Sequence, residues 1–433
     1  MPLLFVMNIL IENVKILTMA DGEEIKNANI YIENDKISKI TKEKLDFTYD
    51  KKIDGKNYLA MPGFVNAHTH VGMSLFRNFS DDVELMTWLN EKIWPLEDRL
   101  IAKDVYWASL LSQAEMIMTG TTTFADMYYF EDQTIKALEK SKMRAQISRG
   151  LTLEDKDCAK IKENINLFKK YENSQNGRIN IAFGPHAVYT TDKNYLKEIN
   201  KYAKKYKMPI HIHLSETKTE NTDCMKRFNQ SPTEVFEECR IFENKTIAAH
   251  GVYLSDKDLD ILSKYDVSVV HNPSSNLKLS SGFLDCTRVI NKKINLAMGT
   301  DSSASNNNLS MIKEISLTSL VSKYNNPQNL KAYDVLKMAT INGAKALGLD
   351  DKIGTLEEGK LADIILIDLN NPNHTPQNNL ISSLPYSTFD KDVSYVIING
   401  DLVYDDKKFV YLNEKEIIKN AEESFQKLRN RKW

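Results

Sequence analysis

The sequence predicts an α/β protein: a (β/α)₈ barrel with a small composite β-sandwich formed by the N- and C-terminal segments. Three observations support this fold class. The middle of the 433-residue chain alternates apolar, strand-like runs with helical stretches, which is the pattern of repeated βα units. Strand-rich stretches occur near both ends, and each alone is too small to bury a sheet face. Histidines follow several central strands, where the active site of such a barrel lies.

The composition and charge are those of an ordinary globular chain. Hydrophobic residues make up 42% and charged residues 27%, which excludes intrinsic disorder of the whole chain. The formal net charge of −2 offers no broad basic field to a polyanion, so we expect no nucleic-acid partner. The four cysteines lack CxxC spacing, which excludes a zinc ribbon and a redox dithiol and leaves reduced core thiols or one disulfide. No signal-peptide pattern and no apolar run of roughly 20 residues occurs, so we expect a cytoplasmic protein without a membrane partner.

The predicted sandwich takes strands from both ends of the chain. Residues 1–60 form its first part, with strands expected at 9–16, 29–33 and 36–41. Residues 356–433 form its second part and a charged C-terminal helix, with strands expected at 362–368, 393–399 and 402–404. Because neither part can bury a sheet face alone, we expect the two to pair around an inserted barrel over 61–355.

The barrel is predicted from eight apolar, strand-like runs. They lie at 58–66, 121–126, 144–149, 180–185, 209–214, 246–249, 267–270 and 295–299. Parallel strands that close into a barrel place the active site at their carboxyl ends. The reactive side chains at or near these ends are His68, His70, His186, His211, His213, His250, His271 and Asp301. Structural histidines are not expected to gather at one rim from five strands, so the pattern indicates a functional site.

A metal site is predicted from the spacing of these side chains. His68 and His70 form an HxH at a strand end, where a period of two places both rings on one side. That pair alone is equally consistent with ordinary polar loop residues. Strand five carries a second alternating pair: we assign His213, nearer the carboxyl end, as a ligand and expect His211 to be a packed, hydrogen-bonded interior histidine. Asp301 after strand eight supplies a carboxylate ligand.

The predicted ligand set suits one divalent metal ion with a position left for water. Three imidazoles and one carboxylate are typical of zinc, the first expectation, and they also admit iron, nickel or manganese. A bound divalent metal lowers the pKa of its water to about 7. Glu216, three residues after His213, is expected to shuttle the water's proton. His250 is expected to orient the attacking oxygen, and Asp301 to accept the second proton.

Several of these segments resemble the metal signatures of the amidohydrolase superfamily. They are Pro-Gly-Phe-Val-Asn-Ala-His-Thr-His at 62–70, His-Leu-Ser-Glu at 213–216, His-Gly at 250–251 and Gly-Thr-Asp at 299–301. The resemblance runs nearly end to end and includes the C-terminal re-entry of the split sandwich at 354–364. Within the superfamily, the segments 88–97, 271–276 and 305–308 resemble the methylthioadenosine/S-adenosylhomocysteine deaminase family, which also contains 5′-deoxyadenosine deaminases.

The resemblance implies an activity and a set of substrate contacts. The activity is metal-dependent hydrolytic deamination of 5′-modified adenosines (5′-deoxyadenosine, 5′-methylthioadenosine, S-adenosylhomocysteine) and adenosine, to the inosine analogues and ammonia. Glu97 is implied to accept hydrogen bonds from ribose hydroxyls, Arg149 to face the 5′ side chain, and His186 to meet the nucleoside. Glu216 and Asp301 are expected to contact the reacting base. Alternatively, Glu97 is a solvated helix start and Arg149 a rim ion pair.

The alternative enzyme function is that of a related amidohydrolase acting on a free base, such as guanine or cytosine, or on a triazine. Such substrates have no ribose for Glu97 to hold. A non-catalytic assembly protein on the same barrel is expected to have lost ligands, and here all are present. Strand four ends in Gly-Pro-His at 184–186 and not in the carboxylated lysine of binuclear members, so we expect one metal ion. The resemblance also implies a homo-oligomer, such as a tetramer.

Further side chains near the predicted mouth carry expectations of their own. Trp88 and Trp94 either stack on the base, cover the mouth or only pack. Asn272 and Asn276 are expected to hold the loop after strand seven through Asx-type hydrogen bonds. The segments 283–286 and 302–304 depart from the family pattern near the mouth and leave the preferred 5′ substituent open.

Overall fold

The fold is taken from a computed structural model of the chain, which describes residues 7–20, 22, 24–153 and 155–431. The strands before the barrel are β1 Ile9–Leu17, β2 Ile25–Glu33, β3 Lys36–Thr41, β4 Lys51–Asp54 and β5 Tyr58–Pro62. β1 to β3 form an antiparallel meander, and their isoleucines alternate with polar residues as expected for a half-buried sheet.

The barrel strands come next along the chain. They are β6 Phe64–Thr69, β7 Thr121–Tyr128, β8 Arg144–Leu151, β9 Ile179–Pro185, β10 Ile210–Leu214, β11 Thr246–His250, β12 Val267–His271 and β13 Asn295–Met298. They are parallel neighbours in sequence order, and the amide of Asp301 after β13 donates to the His68 carbonyl on β6 at 3.0 Å, so the sheet nearly closes. The predicted (β/α)₈ barrel is confirmed.

The first predicted barrel strand is in fact two strands. Within 58–66, β5 pairs with the terminal sheet and β6 starts the barrel, with Gly63 between them. A Cβ atom on Gly63 would lie 2.1 Å from the Thr122 side chain, so the backbone can pass this close to β7 only at a glycine. The apolar run at 58–66 is uninterrupted, so it did not indicate that the chain passes from the terminal sheet to the barrel at Gly63.

The C-terminal strands join the N-terminal ones in one mixed sheet. They are β14 Ile364–Asp368, β15 Val393–Ile398, β16 Asp401–Asp405 and β17 Lys408–Phe409. The strand order is β17-β16-β15-β14-β5-β1-β2-β3, with β4 beside β1, and the two ends meet at the antiparallel pair β14 and β5. Ile9 and Ile30 share one apolar cluster with Ile364 and Ile397. The predicted pairing of the chain ends is confirmed.

Helices cover the barrel and connect its strands. Their bounds are α1 Leu85–Thr87, α2 Trp94–Glu97, α3 Ala102–Met118, α4 Glu131–Ser141, α5 Ala159–Tyr171, α6 Ser174–Gly177, α7 Lys193–Tyr206, α8 Lys218–Phe228, α9 Pro232–Glu238, α10 Asp256–Leu262, α11 Pro273–Lys278, α12 Cys286–Asn291, α13 Met311–Val321, α14 Ala332–Met338, α15 Ile341–Ala346, α16 Leu380–Ser387 and α17 Glu414–Asn430. A π-helical turn, Trp88–Ile93, joins α1 to α2. In the part of the chain described, no helix is long and apolar enough to cross a membrane.

Two contacts fix the terminal segments to the barrel. Helix α17 packs against α3, and its Leu428 is fully buried. At the start of β8, the Arg144 guanidinium donates to both carboxylate oxygens of Asp363 at 3.3 and 3.1 Å and to Asn399 Oδ1 at 3.0 Å. Because a buried charge is costly without its partner, this pair holds the terminal sheet in one orientation on the barrel.

Candidate active site and metal centre

A cavity opens at the carboxyl ends of the barrel strands. The predicted site residues that line it are His70, Glu97, His186, His213, Glu216, His250 and Asp301. The remaining lining is mainly apolar and includes Met73, Leu85, Trp88, Leu89, Ile93, Trp94, Met127, Tyr128, Tyr129, Tyr189 and Leu279. A mostly apolar cleft with a few convergent polar groups is typical of a small-molecule site.

Four predicted ligands converge at one point of this cavity. Nε2 of His70 lies 3.3 Å from Nε2 of His213 and 3.3 Å from Oδ1 of Asp301. Nε2 of His68 lies 3.6 Å from the same carboxylate oxygen. These side chains lie on or just after β6, β10 and β13, so closure of the barrel is what brings them together.

The second ring nitrogen of two histidines is held by backbone carbonyls. His70 Nδ1 donates to the Met127 carbonyl at 2.6 Å, and His213 Nδ1 donates to the His186 carbonyl at 3.0 Å. Because carbonyls only accept, each of these rings carries its hydrogen on Nδ1 when it is neutral and presents a bare Nε2 to the centre. This is how proteins orient imidazole ligands toward a metal.

His68 is oriented by another histidine, and its inner nitrogen has no partner. Its Nδ1 lies 2.8 Å from Nε2 of His211, so His211 is the packed, hydrogen-bonded interior histidine that the sequence predicted. Nε2 of His68 is buried, and none of the residues that the structure describes forms a hydrogen bond with it. Burial alone would raise the pKa of Asp301, but His68 and His70 hold it well below its usual range. Unpartnered imidazole nitrogens around an ionised carboxylate fit a divalent cation.

Glu216 and His250 face each other beside this centre. Oε2 of Glu216 lies 3.8 Å from Nε2 of His250. Asn276 Nδ2 donates to His250 Nδ1 at 2.9 Å, so the neutral ring carries its hydrogen on Nε2 and offers it to the cavity. Burial, followed by the charge of Asp301, raises the pKa of Glu216 to about 8. A carboxyl group with a raised pKa can take up and return a proton near neutral pH.

Two of the site residues have left-handed backbone conformations. The φ angles are 76° at His250 and 60° at Asp301, a region that residues other than glycine rarely adopt. Such conformations persist only where the surroundings hold them, and they cluster at functional sites. Ser275 Oγ donates to Oδ2 of Asp301 at 2.6 Å, and the Ser302 amide donates to Oδ1 at 2.7 Å. Both carboxylate oxygens are therefore positioned by the loops around them.

Glu97 is a cavity residue and not a solvated helix start. The Tyr128 hydroxyl donates to its Oε1 at 2.7 Å. Burial raises the pKa of Glu97 to about 7, and the hydrogen bond from Tyr128 opposes that shift. The carboxyl group is thus fixed in place at the apolar end of the cavity, where it can accept hydrogen bonds from a bound molecule.

Arg149 is the predicted substrate-binding residue that does not line the cavity. Its Nε lies 3.0 Å from Glu163 Oε2, and its guanidinium carbon lies 4.8 Å from the centre of the Tyr129 ring. Tyr129 itself lines the cavity, so Arg149 stands behind it. The structure therefore shows the rim ion pair that the sequence left open, and a direct contact with a 5′ substituent stays a prediction.

His271 is a rim histidine that the fold does not bring to the site. On β12, Val270 clusters with residues inside the barrel and Val269 with the helices outside, and His271 shares the face of Val269. Its ring packs edge-on against Phe283, with 4.8 Å between the ring centres. A position at a strand end thus does not decide on which side of the barrel a side chain lies.

The expected role of Asn272 and Asn276 is wrong. Asn272 makes no capping hydrogen bond to its own loop, and the two side-chain amides lie 3.4 and 2.9 Å from His250 Nδ1. His250 reaches them because its left-handed backbone turns the ring toward the loop after β12. In the folded chain, these amides therefore bind to His250 Nδ1 and not to the backbone of their own loop.

Two positioning residues were missed in the sequence. Ser275 holds Asp301, and Tyr128 holds Glu97. Each acts on a residue from a different strand or helix, so no spacing along the chain indicates the contact. The one available signal was that Tyr128 lies two residues beyond the predicted barrel strand at 121–126, near the rim where functional residues concentrate.

Comparison with known proteins shows which family this chain matches. The model of the amidohydrolase family matches residues 59–403. A 5-methylthioadenosine/S-adenosylhomocysteine deaminase from Caldanaerobacter subterraneus subsp. tengcongensis is 45% identical over 428 residues, which cover 98% of this chain and 99% of that protein. A 5′-deoxyadenosine deaminase from Methanosphaera stadtmanae is 43% identical over 426 residues, covering 97% and 99%.

The fold is also similar to that of a solved structure. An adenosine deaminase from Xanthomonas campestris, crystallised with bound zinc, superposes with a TM-score of 0.94 at 29% identity. The match covers 98% of this chain and 99% of that one. The similarity therefore includes both the barrel and the composite terminal sheet.

Proposed function

Because the chain belongs to the amidohydrolase family, we propose that it is a metal-dependent aminohydrolase that deaminates 5′-modified adenosines to the inosine analogues and ammonia. One observation carries this: a proton-transfer carboxyl, Glu216, lies beside a three-imidazole, one-carboxylate centre in the same cavity as a fixed acceptor, Glu97. A free base or a triazine offers no ribose for that acceptor. The named activities of the two relatives support the nucleoside class.

The chain's own residues supply the proton transfers. A divalent metal ion held by His68, His70, His213 and Asp301 would lower the pKa of a water molecule to about 7. Glu216 takes a proton from the attacking water and delivers it to N1 of the adenine ring, so negative charge does not build up on the ring during attack at C6. His250 donates from Nε2 to the attacking oxygen.

Collapse of the tetrahedral carbon completes the reaction. Asp301 accepts the second proton of the attacking water, that proton passes to the amino group, and ammonia leaves C6 as the C–N bond breaks. The product is the hypoxanthine nucleoside. Glu97 accepts hydrogen bonds from the ribose hydroxyls, and His186 lies against the nucleoside from the rim of β9.

Zinc is the metal that we propose for the centre. The nitrogen and oxygen donors suit it, and the similar adenosine deaminase from Xanthomonas campestris was solved with zinc. One ion per chain is proposed, since β9 ends in Gly184, Pro185 and His186 and offers no bridging lysine. The homo-oligomeric state and the cytoplasmic location stay predictions.

The cavity wall supports a preference for uncharged 5′ substituents. Among the residues described, the lining contains no lysine or arginine. Arg149 is paired with Glu163, and Lys160 Nζ donates to Thr152 Oγ1 at 2.8 Å. Neither cation faces the cavity. A homocysteine carboxylate would enter without a partner, which is unfavourable in a largely apolar cleft.

The first experiment ranks substrates by their ultraviolet change from adenine to hypoxanthine. With zinc-replete protein, kcat/KM for 5′-deoxyadenosine or 5′-methylthioadenosine is expected to exceed that for S-adenosylhomocysteine about tenfold, or about 1.4 kcal/mol. Arg149→Met should leave this ratio unchanged. If S-adenosylhomocysteine is preferred and Arg149→Met removes the preference, Arg149 contacts the 5′ group directly. No turnover of any nucleoside would contradict the proposed function itself.

The raised pKa of Glu97 predicts that nucleoside binding depends on pH. Below about 7 the group is protonated and has lost part of its acceptor capacity, whereas above it the carboxylate accepts from both ribose hydroxyls. KM is therefore expected to fall as pH rises through this value. Glu97→Gln should raise KM about tenfold at high pH and remove the dependence. Steady-state kinetics across neutral pH measure both effects.

The matched control for Glu97 is Glu91→Gln, an exposed carboxylate on the same helical segment. It should behave as wild type at every pH. A Glu97→Gln variant with the wild-type KM and pH profile would show that Glu97 does not hold the ribose.

A further inference from the structure

Two fully buried carboxyl groups, Asp126 and Glu131, lie next to the site and take no part in the proposed chemistry. Asp126 is on β7, and its Oδ1 accepts from Thr69 Oγ1 at 3.0 Å and from the Val71 amide at 2.8 Å. These two donors come from the residues immediately before and after His70. Asp126 thus fixes the backbone that carries one of the proposed metal ligands.

Glu131 holds the other side of the cavity. It is the first residue of α4, and its Oε1 accepts from the Tyr128 amide at 2.7 Å. The hydroxyl of Tyr128 in turn donates to Glu97 at 2.7 Å. The ring of Tyr128 lies against Gly72, where a Cβ atom would come within 2.2 Å of it. Glu131 therefore positions the proposed ribose acceptor, Glu97, through Tyr128.

The two carboxyl groups also affect each other electrostatically. Burial raises the pKa of Asp126 to about 6 and that of Glu131 well above its ordinary value, and the charge of Asp126 adds to the shift at Glu131. Oδ2 of Asp126 and Oε2 of Glu131 are buried, and neither atom has a hydrogen-bond partner among the described residues. The hydrogen bonds from the residues flanking His70 and from the Tyr128 amide are therefore the contacts through which the two groups act on the site.

We propose that Asp126 and Glu131 are two positioning residues: Asp126 holds the backbone on both sides of the metal ligand His70, and Glu131 holds the ribose acceptor Glu97 through Tyr128. The role given to Glu97 rests on the proposed function, whereas the role at His70 requires only that the centre binds a metal. Neither residue touches substrate or metal. Each acts through the backbone or through Tyr128.

The positioning of Glu97 by Glu131 is tested by a double-mutant cycle. Glu131→Met should raise KM for the best nucleoside about tenfold with kcat within about threefold. Glu131→Gln, whose side-chain oxygen can still accept from the Tyr128 amide, should stay within about threefold. In a Glu97→Gln background, Glu131→Met should add no further rise. Asp132→Asn, its exposed neighbour on α4, is the control. An equal rise in both backgrounds, or equal damage from Gln and Met, would overturn the proposal.

The positioning of His70 by Asp126 is tested without substrate. Zinc affinity, measured by competition with a chromophoric chelator, should fall about 10- to 100-fold in Asp126→Leu and stay near wild type in Asp126→Asn. If Asp126→Leu does not fold, Thr69→Val, which removes one of the two donors to Asp126 Oδ1, provides the second measurement, with an expected weakening of several-fold. Wild-type zinc affinity in folded Asp126→Leu or Thr69→Val protein would overturn the proposed role of Asp126. Because this readout needs no turnover, failure of the proposed function remains distinguishable.

Discussion

Replacing Glu216 by Gln is expected to lower kcat for the best nucleoside about 10³-fold while the metal content stays at that of the wild type. The amide keeps the size of the side chain and can donate, but it cannot take a proton from water and return it to N1 of the ring. The two neighbouring groups do not replace it: His250 is held as a donor by Asn276, and Asp301 already accepts the other proton of the attacking water in the proposed mechanism. The absorbance change from adenine to hypoxanthine measures the loss.

The matched control is Asp223→Asn on α8, which removes a carboxylate of the same loop-and-helix unit that is paired only with Lys226. It should have wild-type kcat. A Glu216→Gln variant that retained more than about a tenth of the wild-type kcat, with full metal content, would assign the proton transfers to another group. Loss of metal in this variant would instead show that Glu216 supports the centre.

Asp301→Asn is expected to lower turnover at least about 10³-fold, together with the stoichiometric metal. Asp301 is the anion shared by His68 and His70, which lie 3.6 and 3.3 Å from its Oδ1. Without its charge, three neutral imidazoles must hold a divalent cation in a buried site, which weakens binding. Metal content by elemental analysis and turnover after incubation with zinc measure the two losses.

Chelation separates the metal from the side chain. Wild-type protein stripped of metal should be inactive and should recover when zinc is added, whereas Asp301→Asn should not recover. Asp266→Asn, which removes an exposed carboxylate paired with Lys245 at the other end of the barrel, should match wild type in both assays. Full turnover by metal-free wild type would overturn the metal-dependent mechanism.

The elements that the sequence predicted correctly share one property: their evidence is local. Alternation over a few residues placed His211 and His213 on one face of β10, and the structure has both rings inside the barrel. The repeat of strand-like and helical runs predicted the barrel. Because the active site of such a barrel lies at the carboxyl ends of its strands, the prediction also placed side chains from distant strands at one rim. The centre of His68, His70, His213 and Asp301 follows from these two steps.

The elements that the sequence did not predict depend on contacts between distant segments. The direction of Arg149 was settled by Glu163 on α5 and by the ring of Tyr129. The role of Asn276 depended on a left-handed residue on another strand, His250. In each case several side-chain directions were compatible with the local pattern, and packing selected one of them.

The sequence by itself therefore determined the order of the strands, the barrel and the histidine and carboxylate side chains that meet at its rim. Only the tertiary structure decided which ring nitrogens are bare, that Arg149 lies behind the cavity wall, and that Asp126 and Glu131 accept hydrogen bonds from backbone beside the site. The physical reason is the separation along the chain between the residues that determine each feature. Backbone periodicity is set by nearest neighbours along the chain, whereas a hydrogen bond requires its two atoms within about 3 Å, a condition that only the folded chain meets.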